Sequence, residues 1–237
     1  MKIRIVHLYP DLMNIYGDIG NIIALKKRSE WRSIEVEIKN ISTNDKLEFK
    51  KGDILFMGGG QDRGQLLVAS DLNKKSQIIK KAIISGLPAL VICGAYQLFG
   101  KYFLTDKKVK IPGINIFDFT TVASNQRMIG NIVVDSQKFG RLIGFENHSG
   151  QTVLANNSQA LGKVIKGFGN NNKDKFEGMI LNNVIGTYMH GSFLPKNPKV
   201  TDFLIAKAAK KIDPNFKLKK LDDSLENQAN QFAASRP

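Results

Sequence analysis

The stretch LPALVICGAYQLFG, residues 87–100, decides the fold of this chain and contains its only cysteine, Cys93. The apolar run Ala89–Ile92 is typical of a strand that is buried on both faces of a parallel sheet. Two very small residues, Gly94 and Ala95, follow the cysteine and lead into a predicted helical turn. This order predicts a nucleophile elbow, in which a sharp turn lifts the side chain into a cleft beside a helix N-terminus that favours the thiolate. A buried cysteine that packs as a small hydrophobe is the alternative.

Composition limits the class of protein. The chain has 237 residues, of which 42% are hydrophobic and 24% charged, as in a globular protein with a sizeable core. One cysteine excludes an internal disulfide and a cysteine-based metal site, and it favours a reducing compartment. The N-terminal residues lack a secretory apolar region, and no apolar run reaches the length of a membrane span. We therefore expect a cytoplasmic protein with no integral membrane segment and no metal.

The charge is strongly basic, with 35 Lys and Arg against 21 Asp and Glu and a net charge of +14. Such a balance is found in proteins that bind nucleic acid, anionic membranes or acidic partners. Here the lysines occur as pairs spread along the chain, and no aromatic-interleaved basic ribbon or nucleic-acid motif accompanies them. The pattern favours a solvated lysine-rich surface, with no nucleic-acid partner. Weak attraction to an anionic partner or membrane is the alternative.

Strands and helices alternate in the first half of the chain. We predict strands at residues 2–8, 34–38, 53–57 and 89–92, and helices at residues 21–31 and 71–84, the second with Asp71 as its N-cap. This alternation predicts an α/β fold with a doubly wound, mostly parallel sheet flanked by helices.

Three glycines, Gly58–Gly60, follow the third predicted strand directly. They lack the lysine of a Walker motif and the spacing of a dinucleotide fingerprint. An anion or oxyanion cradle is the functional interpretation of these glycines, but a tight turn is favoured when the loop is considered alone. Ligands of such sheets bind beyond the carboxyl ends of the strands, where this loop and Cys93 would both lie.

The second half has a different character. Short apolar stretches separated by glycines and asparagines predict extra β-hairpins, with strands at residues 114–117, 129–134, 144–146, 153–154, 164–165 and 179–181. A further strand at residues 184–188 and a helix at residues 199–212 follow. We assign residues 1–212 to one domain and residues 213–237 to a polar C-terminal helix and tail.

A cysteine nucleophile needs a base, and the chain has three histidines. His7 lies within the first predicted strand, where a structural role is more common. His148 lies in a polar segment, as a loop histidine or a ligand contact. His190 follows a strand directly and precedes a glycine, so it projects beyond the sheet edge. His190 is the preferred base, modestly ahead of His148.

Several segments resemble a known family. GGG at residues 58–60, ICGAYQ at 92–97 and GTYMHG at 186–191 are similar to the class I glutamine amidotransferases, which hydrolyse glutamine on a cysteine and pass ammonia to a synthetase. Typical members have His-x-Glu, whereas Gly191 and Ser192 follow the histidine here, as in the subgroup around the cobyric acid synthases. Ala95 stands where the family has a second glycine, which implies tighter contact between helix and strand.

Within that subgroup the chain resembles the glutaminase subunits of lipid II isoglutaminyl synthases. The segments that carry this resemblance cover most of the chain in the same order: YGDIGNIIAL at residues 16–25, GGGQDR at 58–63, GFENHSG at 144–150, GFGNNNKDKFEG at 167–178 and LPKN at 194–197. The resemblance implies the fold of the class I glutamine amidotransferases.

The resemblance also implies catalytic roles. Cys93 would form a thioester with glutamine, and His190 would activate the thiol and protonate the departing ammonia. The backbone N–H groups of Gly94 and of the glycine loop, at Gly60, would hold the oxyanion. Asp18 would orient the imidazole in place of the missing glutamate. A turn or N-cap aspartate is the alternative for Asp18, because a helix follows at once.

The resemblance implies that Arg127 binds glutamine, and Gln97 is a further candidate. Arg127 would grip the α-carboxylate through paired hydrogen bonds, and a surface arginine is its alternative. Gln97 would contact substrate, although a glutamine on the helix surface is the interpretation that we favour from the sequence.

The implied function is that of a glutaminase subunit in a heterodimer with a Mur-ligase-like ATP-dependent partner. L-glutamine is the substrate, and the acceptor is the D-glutamate of the lipid II stem peptide, which becomes D-isoglutamine at the inner face of the membrane. This chain has no nucleotide-binding motif, so ATP and its metal are expected on the partner and no cofactor here. The alternatives are a cobyrinate-like acceptor and a catalytically silent, ligase-binding scaffold.

Overall fold

The computed structural model describes residues 1–156, 158–190 and 193–236. Strands and helices alternate in the first half and strands dominate the second. In chain order they are β1 (Lys2–Leu8), α1 (Ile19–Glu30), β2 (Glu35–Ile41), β3 (Asp53–Met57), α2 (Asp62–Ile84), β4 (Ala89–Ile92), α3 (Gly94–Phe99), β5 (Tyr102–Leu104), β6 (Lys110–Pro112), β7 (Phe119–Ser136), β8 (Gly140–Leu154), β9 (Gly162–Lys166), β10 (Phe176–Glu177), β11 (Met179–Leu181), β12 (Val184–Thr187), α4 (Phe193–Lys196), α5 (Pro198–Ile212) and α6 (Ser224–Ser235).

A central sheet has the strand order β11-β12-β4-β3-β1-β2. Its strands are parallel except β11, which pairs antiparallel with β12. Every residue of β3, β4 and β12 is buried, as expected for strands covered on both faces. The predicted mostly parallel α/β sheet is confirmed, and it brings the carboxyl ends of β1, β3, β4 and β12 to one edge.

The helix α2 begins earlier than the sequence predicted. It starts at Asp62, so the predicted N-cap Asp71 lies well inside the helix. The Asp71 side chain is buried there. Its carboxylate accepts hydrogen bonds from the Tyr9 hydroxyl at 2.7 Å and the Asn44 backbone N–H at 3.0 Å, and it pairs with Lys75. The prediction that Asp71 is the N-cap of this helix was therefore wrong. The local sequence pattern could not show that residues distant in the chain provide hydrogen-bond partners for this carboxylate.

A second sheet has the order β10-β9-β7-β5-β6, with β8 paired to β7. Hairpins are present in this half, but the strand predicted at residues 114–117 was wrong, because these residues form a loop between β6 and β7. Two long strands, β7 and β8, replace the short ones predicted at residues 129–134, 144–146 and 153–154. The pairing of β7 with β8 shifts in register between Ala123 and Met128. Such a bulge redirects the side chains within it, here including Arg127.

Backbone hydrogen bonds between Phe145 and His190 link the second sheet to the end of the central sheet. The N–H of His190 donates to the carbonyl of Phe145 in β8 at 2.7 Å, and the Phe145 N–H donates back at 3.3 Å. The position of His190 is therefore fixed by the central sheet on one side and by the long hairpin on the other.

The C-terminal residues fold back onto α1. The buried guanidinium of Arg28 pairs with Asp202 of α5 and with Asp223 and Glu226 at the start of α6. One arginine thus ties three helices together. The division of the chain at residue 212 stays a prediction.

Candidate active site

Cys93 lies between β4 and α3 with φ 51° and ψ −106°. A positive φ is strained for a residue with a Cβ atom, and the flanking elements hold it: the Cys93 N–H donates to the carbonyl of Thr187 in β12 at 2.8 Å. A Cβ atom on Gly94 would lie 2.7 Å from the Gly60 carbonyl oxygen, so this position requires glycine. The sharp strand–turn–helix expected from residues 87–100 is therefore present.

His190 and Asp18 meet although 172 positions separate them in the chain. Both side chains are fully buried, and the His190 Nδ1 atom lies 3.1 Å from each oxygen of the Asp18 carboxylate. Asp18 is the residue before α1, but its side chain makes no capping hydrogen bond; one oxygen instead accepts the Gly59 N–H at 2.7 Å. The carboxylate thus faces the imidazole rather than its own helix.

The environment of His190 favours its protonated form. Burial has the largest effect and lowers the pKa, but the neighbouring sulfur of Cys93 and the Asp18 carboxylate outweigh it and raise the pKa to about 10. The Nε2 atom is buried and makes no well-formed hydrogen bond within the part of the chain that the structure describes. With Nδ1 held by Asp18, Nε2 is the ring nitrogen that can exchange a proton at the sulfur.

The glycine loop after β3 packs directly against these residues. A Cβ atom on Gly59 would lie 2.3 Å from His190 Cε1, and one on Gly58 would lie 3.1 Å from an oxygen of Asp18. The absence of side chains lets the imidazole and its carboxylate sit against the loop. Close approach, rather than a turn alone, explains the three consecutive glycines.

Replacing Gly59 with alanine is expected to lower kcat for glutamine hydrolysis about 10²-fold, because the methyl group would displace the imidazole by an ångström or so. Steady-state kinetics check this expectation, and the melting temperature checks that the chain still folds. A Gly59→Ala variant with wild-type kcat would show that the loop does not position His190.

The backbones of Gly60 and Gly94 lie close together beside Cys93. Gly94 is the first residue of α3, and the N–H groups of a first helical turn have no acceptor within the helix. The Gly60 nitrogen lies 3.0 Å from the position that a Gly94 Cβ atom would take, so the two backbones are in contact. The oxyanion hole at Gly60 and Gly94 stays a prediction.

A cavity of about 370 Å³ opens in front of Cys93. Its lining combines the elbow, the glycine loop, the first turn of α2 and the long hairpin. The polar residues that line it include Tyr16, Gln65, Gln97, Arg127, Asn147 and His148. The volume and the polar lining fit a small polar substrate such as an amino acid.

Arg127 lies in this lining, on the wall formed by the bulge of β7. Its Nε atom donates to Asn147 Oδ1 at 2.7 Å, and its Nη2 atom donates to the Tyr16 hydroxyl at 3.3 Å. The Tyr16 ring in turn packs edge-on against His190, with 5.1 Å between ring centroids. The guanidinium is exposed, as the surface alternative expected, yet it is oriented within the same cavity as Cys93.

Gln97 is buried, so the prediction of a helix-surface position was wrong. The second sheet covers this side of α3, and the Gln97 Nε2 atom donates to the hydroxyl of Tyr188 at 3.2 Å. Sequence reasoning missed its partner Gln65, whose Nε2 atom donates to Gln97 Oε1 at 3.0 Å. A prediction that α2 begins at Asp62, just after the glycine loop, would have placed Gln65 close to that loop.

The other two histidines have different surroundings. Burial lowers the pKa of His7 to about 4, and its ring packs on Phe56 in the core. His148 stacks on Tyr188 with 3.6 Å between centroids, and its Nδ1 atom contacts the Gly150 carbonyl oxygen at 2.8 Å. Burial lowers the pKa of His148 as well. Within the described part of the chain, neither ring has a hydrogen bond to an aspartate such as the one between His190 and Asp18.

The described residues contain neither a group of metal-ligating side chains nor a helix that could span a membrane. In residues 1–156, 158–190 and 193–236, no three His, Cys, Asp or Glu side chains are grouped so that they could hold a metal ion. Over the same residues, no helix has both the length and the apolar composition needed to cross a membrane.

Comparison with known proteins agrees with this geometry. Residues 4–198 match the CobB/CobQ-like glutamine amidotransferase domain. The lipid II isoglutaminyl synthase (glutamine-hydrolyzing) subunit GatD of Staphylococcus aureus strain N315 is 42% identical over 99% of this chain and 96% of its own length. The subunit of the same name from Streptococcus pneumoniae strain R6 is 38% identical over 89% of this chain and 82% of its own.

A solved structure gives the same fold. A chain in the structure of PurLQS from Thermotoga maritima has a TM-score of 0.60 at 16% identity, covering 92% of this chain and 100% of that one. Identity this low shows the fold alone, whereas the domain match and the two relatives extend over most of the sequence. The chain belongs to the CobB/CobQ-like glutamine amidotransferases.

Proposed function

We propose that this chain is the glutaminase subunit of a lipid II isoglutaminyl synthase, using Cys93 as nucleophile. The observation that carries the proposal is the meeting of Asp18, His190 and Cys93 behind one polar cavity, at the carboxyl edge of the central sheet. Similarity to two relatives of this name along most of their length supports the choice of enzyme.

The first half of the reaction forms a thioester. The Cys93 sulfur attacks the side-chain carbonyl carbon of glutamine, and the electron pair of the C=O bond moves onto its oxygen. The N–H groups of Gly60 and Gly94 stabilise this oxyanion, each contributing about 3 kcal/mol. His190 then passes its Nε2 proton to the amide nitrogen, the C–N bond breaks and ammonia leaves.

The second half releases glutamate. The neutral His190 Nε2 atom takes a proton from a water molecule whose oxygen attacks the thioester carbon. The same two N–H groups hold the second oxyanion, and the C–S bond then breaks to regenerate the sulfur nucleophile. Throughout both halves the Asp18 carboxylate fixes the ring and favours the proton on Nδ1.

Arg127 binds the α-carboxylate of glutamine, and Gln97 lies in the same cavity wall. Because Arg127 acts on bound substrate rather than on the reacting atoms, we expect Arg127→Ala to raise KM for glutamine about 10- to 100-fold with a small change in kcat. Arg127→Lys keeps the charge but not the paired hydrogen bonds, so its KM for glutamine is expected to lie between those of wild type and Arg127→Ala. An unchanged KM in Arg127→Ala would remove Arg127 from the binding site.

The ammonia is used by a second subunit. We propose a Mur-ligase-like, ATP-dependent partner in a heterodimer, which activates the D-glutamate carboxyl of lipid II and holds the ATP and its metal. The complex would work in the cytoplasm at the inner face of the membrane, because its acceptor is a membrane lipid. No ATP step is assigned to this chain, whose sequence has no nucleotide-binding motif.

The acceptor is tested by supplying the purified chain and a Mur-type ligase with ATP, glutamine and lipid II, and by following the stem peptide by mass spectrometry. We expect conversion of D-glutamate to D-isoglutamine that requires both subunits. A parallel reaction with a cobyrinate and its synthetase tests the other acceptor, and amidation of the cobyrinate alone would overturn the lipid II assignment.

A further inference from the structure

The side chain of Gln65, in the cavity wall, has a buried oxygen with no hydrogen-bond partner among the residues that the structure describes. Gln65 lies in the first turn of α2 and is only 2% exposed, and it lines the cavity in front of Cys93. Its Oε1 atom is buried and accepts no hydrogen bond from any residue that the structure describes. Leaving such an acceptor unsatisfied costs free energy, so its presence in a substrate cavity calls for a donor on the ligand.

The orientation of this amide is determined by its neighbours. The Gln65 Nε2 atom lies 3.3 Å from the Gly60 carbonyl oxygen, which can only accept, and 3.0 Å from Gln97 Oε1. Gln97 is oriented in turn, because its Oε1 atom accepts from Gln65 Nε2, which leaves its own Nε2 atom to donate to the Tyr188 hydroxyl. The nitrogen of Gln65 therefore faces the glycine loop, and its oxygen is the atom left for a ligand.

The position of Gln65 selects which part of glutamine it meets. Its Nε2 atom lies 2.9 Å from the place that a Gly94 Cβ atom would take, so the side chain stands at the sulfur end of the cavity. Arg127, bonded to Tyr16 and Asn147, lies on another wall. With the substrate carbonyl oxygen at the N–H groups of Gly60 and Gly94, the remaining group at this end is the carboxamide NH₂, which is a donor.

We propose that Gln65 is a specificity residue: its Oε1 atom accepts a hydrogen bond from the carboxamide nitrogen of glutamine, while its Nε2 atom holds the Gly60 loop. This inference rests on the proposed glutaminase function. Glutamate, the product, presents only oxygen acceptors at the same place and is rejected, because two acceptors would then face each other. Gln65 thereby separates substrate from product.

The test compares two substrates that acylate the same sulfur, glutamine and L-glutamate γ-methyl ester, which lacks the N–H donor. Glutamate formation is measured for both with the full chain, in the presence of a Mur-type ligase. In Gln65→Met we expect kcat/KM for glutamine to fall about 10-fold more than kcat/KM for the ester, because only the amide loses a hydrogen bond. Gln77→Met, an exposed glutamine on the same helix, is the matched control and should leave both values unchanged.

A displaced Gly60 loop would lower kcat/KM equally for glutamine and for the ester. The ratio of the two kcat/KM values therefore reports only the contact between Gln65 and the substrate. Gln65→Glu keeps an acceptor and loses the donor to Gly60, and its amide-to-ester ratio is expected to stay near the wild-type value while both rates fall. Competitive inhibition by L-glutamate gives a second measure, in which Gln65→Met should bind glutamate about 10-fold better relative to glutamine.

Equal losses for amide and ester in Gln65→Met, or a constant ratio of glutamate to glutamine affinity, would overturn the specificity role. Cys93→Ala is assayed in parallel to keep the two proposals separate. Glutamate formation that depends on Cys93 but shows no Gln65-dependent ratio would reject this inference alone. Wild-type protein that forms no Cys93-dependent glutamate from either substrate would reject the proposed function, and this inference with it.

Discussion

Replacement of Cys93 by alanine is expected to lower the rate of glutamine hydrolysis by about 10⁵-fold or more, to the background level. The chain has no other cysteine, so no second thiol can form the thioester. The measurement is glutamate formed per minute by wild type and variant at saturating glutamine. Retention of more than a small fraction of the wild-type rate would contradict the nucleophile assignment.

The fold of this variant should remain intact. Alanine at Cys93 loses only the sulfur and faces the same positive φ, so we expect a decrease in unfolding free energy of about 1–2 kcal/mol. The melting temperature tests this, and co-purification with a Mur-type ligase should match that of wild type. A single cysteine also allows a direct check, because a thiol-alkylating reagent that modifies the wild-type chain once should abolish activity with the same stoichiometry.

Replacement of Asp18 by asparagine should give the second largest effect, a fall in kcat of about 10³-fold. The asparagine oxygen can still accept the Gly59 N–H, which turns its NH₂ group toward His190 Nδ1. A donor there stabilises the tautomer with the proton on Nε2, which cannot accept one from the thiol or from water. Asp11→Asn, an exposed aspartate in the same loop, is the matched control and should behave as wild type.

The pH dependence of Asp18→Asn separates orientation from a general loss of structure. The raised pKa of His190, about 10, means that the ring keeps its proton up to that pH and loses it above. Because this proton leaves with ammonia, activity should decline on the alkaline side near pH 10, and the decline should begin at lower pH when the carboxylate is removed. An alkaline limb at the same pH in wild type and variant would show that Asp18 does not act through His190.

The elbow and the glycine loop could be predicted because their signals are local. A short apolar run before Cys93 and Gly94 predicts a strand that ends in a sharp turn. Three consecutive glycines after β3 likewise predict a turn or a close approach of the backbone to another group. The parallel sheet that brings them together follows from the alternation of elements. His190 could be favoured for the same reason, since it comes directly after a strand of that sheet.

The partners of these residues were harder to predict. The contact between Asp18 and His190 spans most of the chain, and only the family resemblance, not the local pattern, suggested it. Gln97 was expected at the surface because nothing in α3 itself shows that the second sheet covers it. Gln65 was missed because Asp71 was read as a helix start, whereas Tyr9 and Lys75 satisfy that carboxylate inside a longer helix.

The most direct test of the central claim is the release of ammonia from glutamine by the purified chain, measured alone and with a Mur-type ligase, ATP and lipid II. The account predicts ammonia and glutamate in equal amounts, dependent on Cys93 and increased when the ligase and its acceptor are present. No ammonia under either condition would contradict it, and the chain would then be a catalytically silent scaffold on the amidotransferase fold.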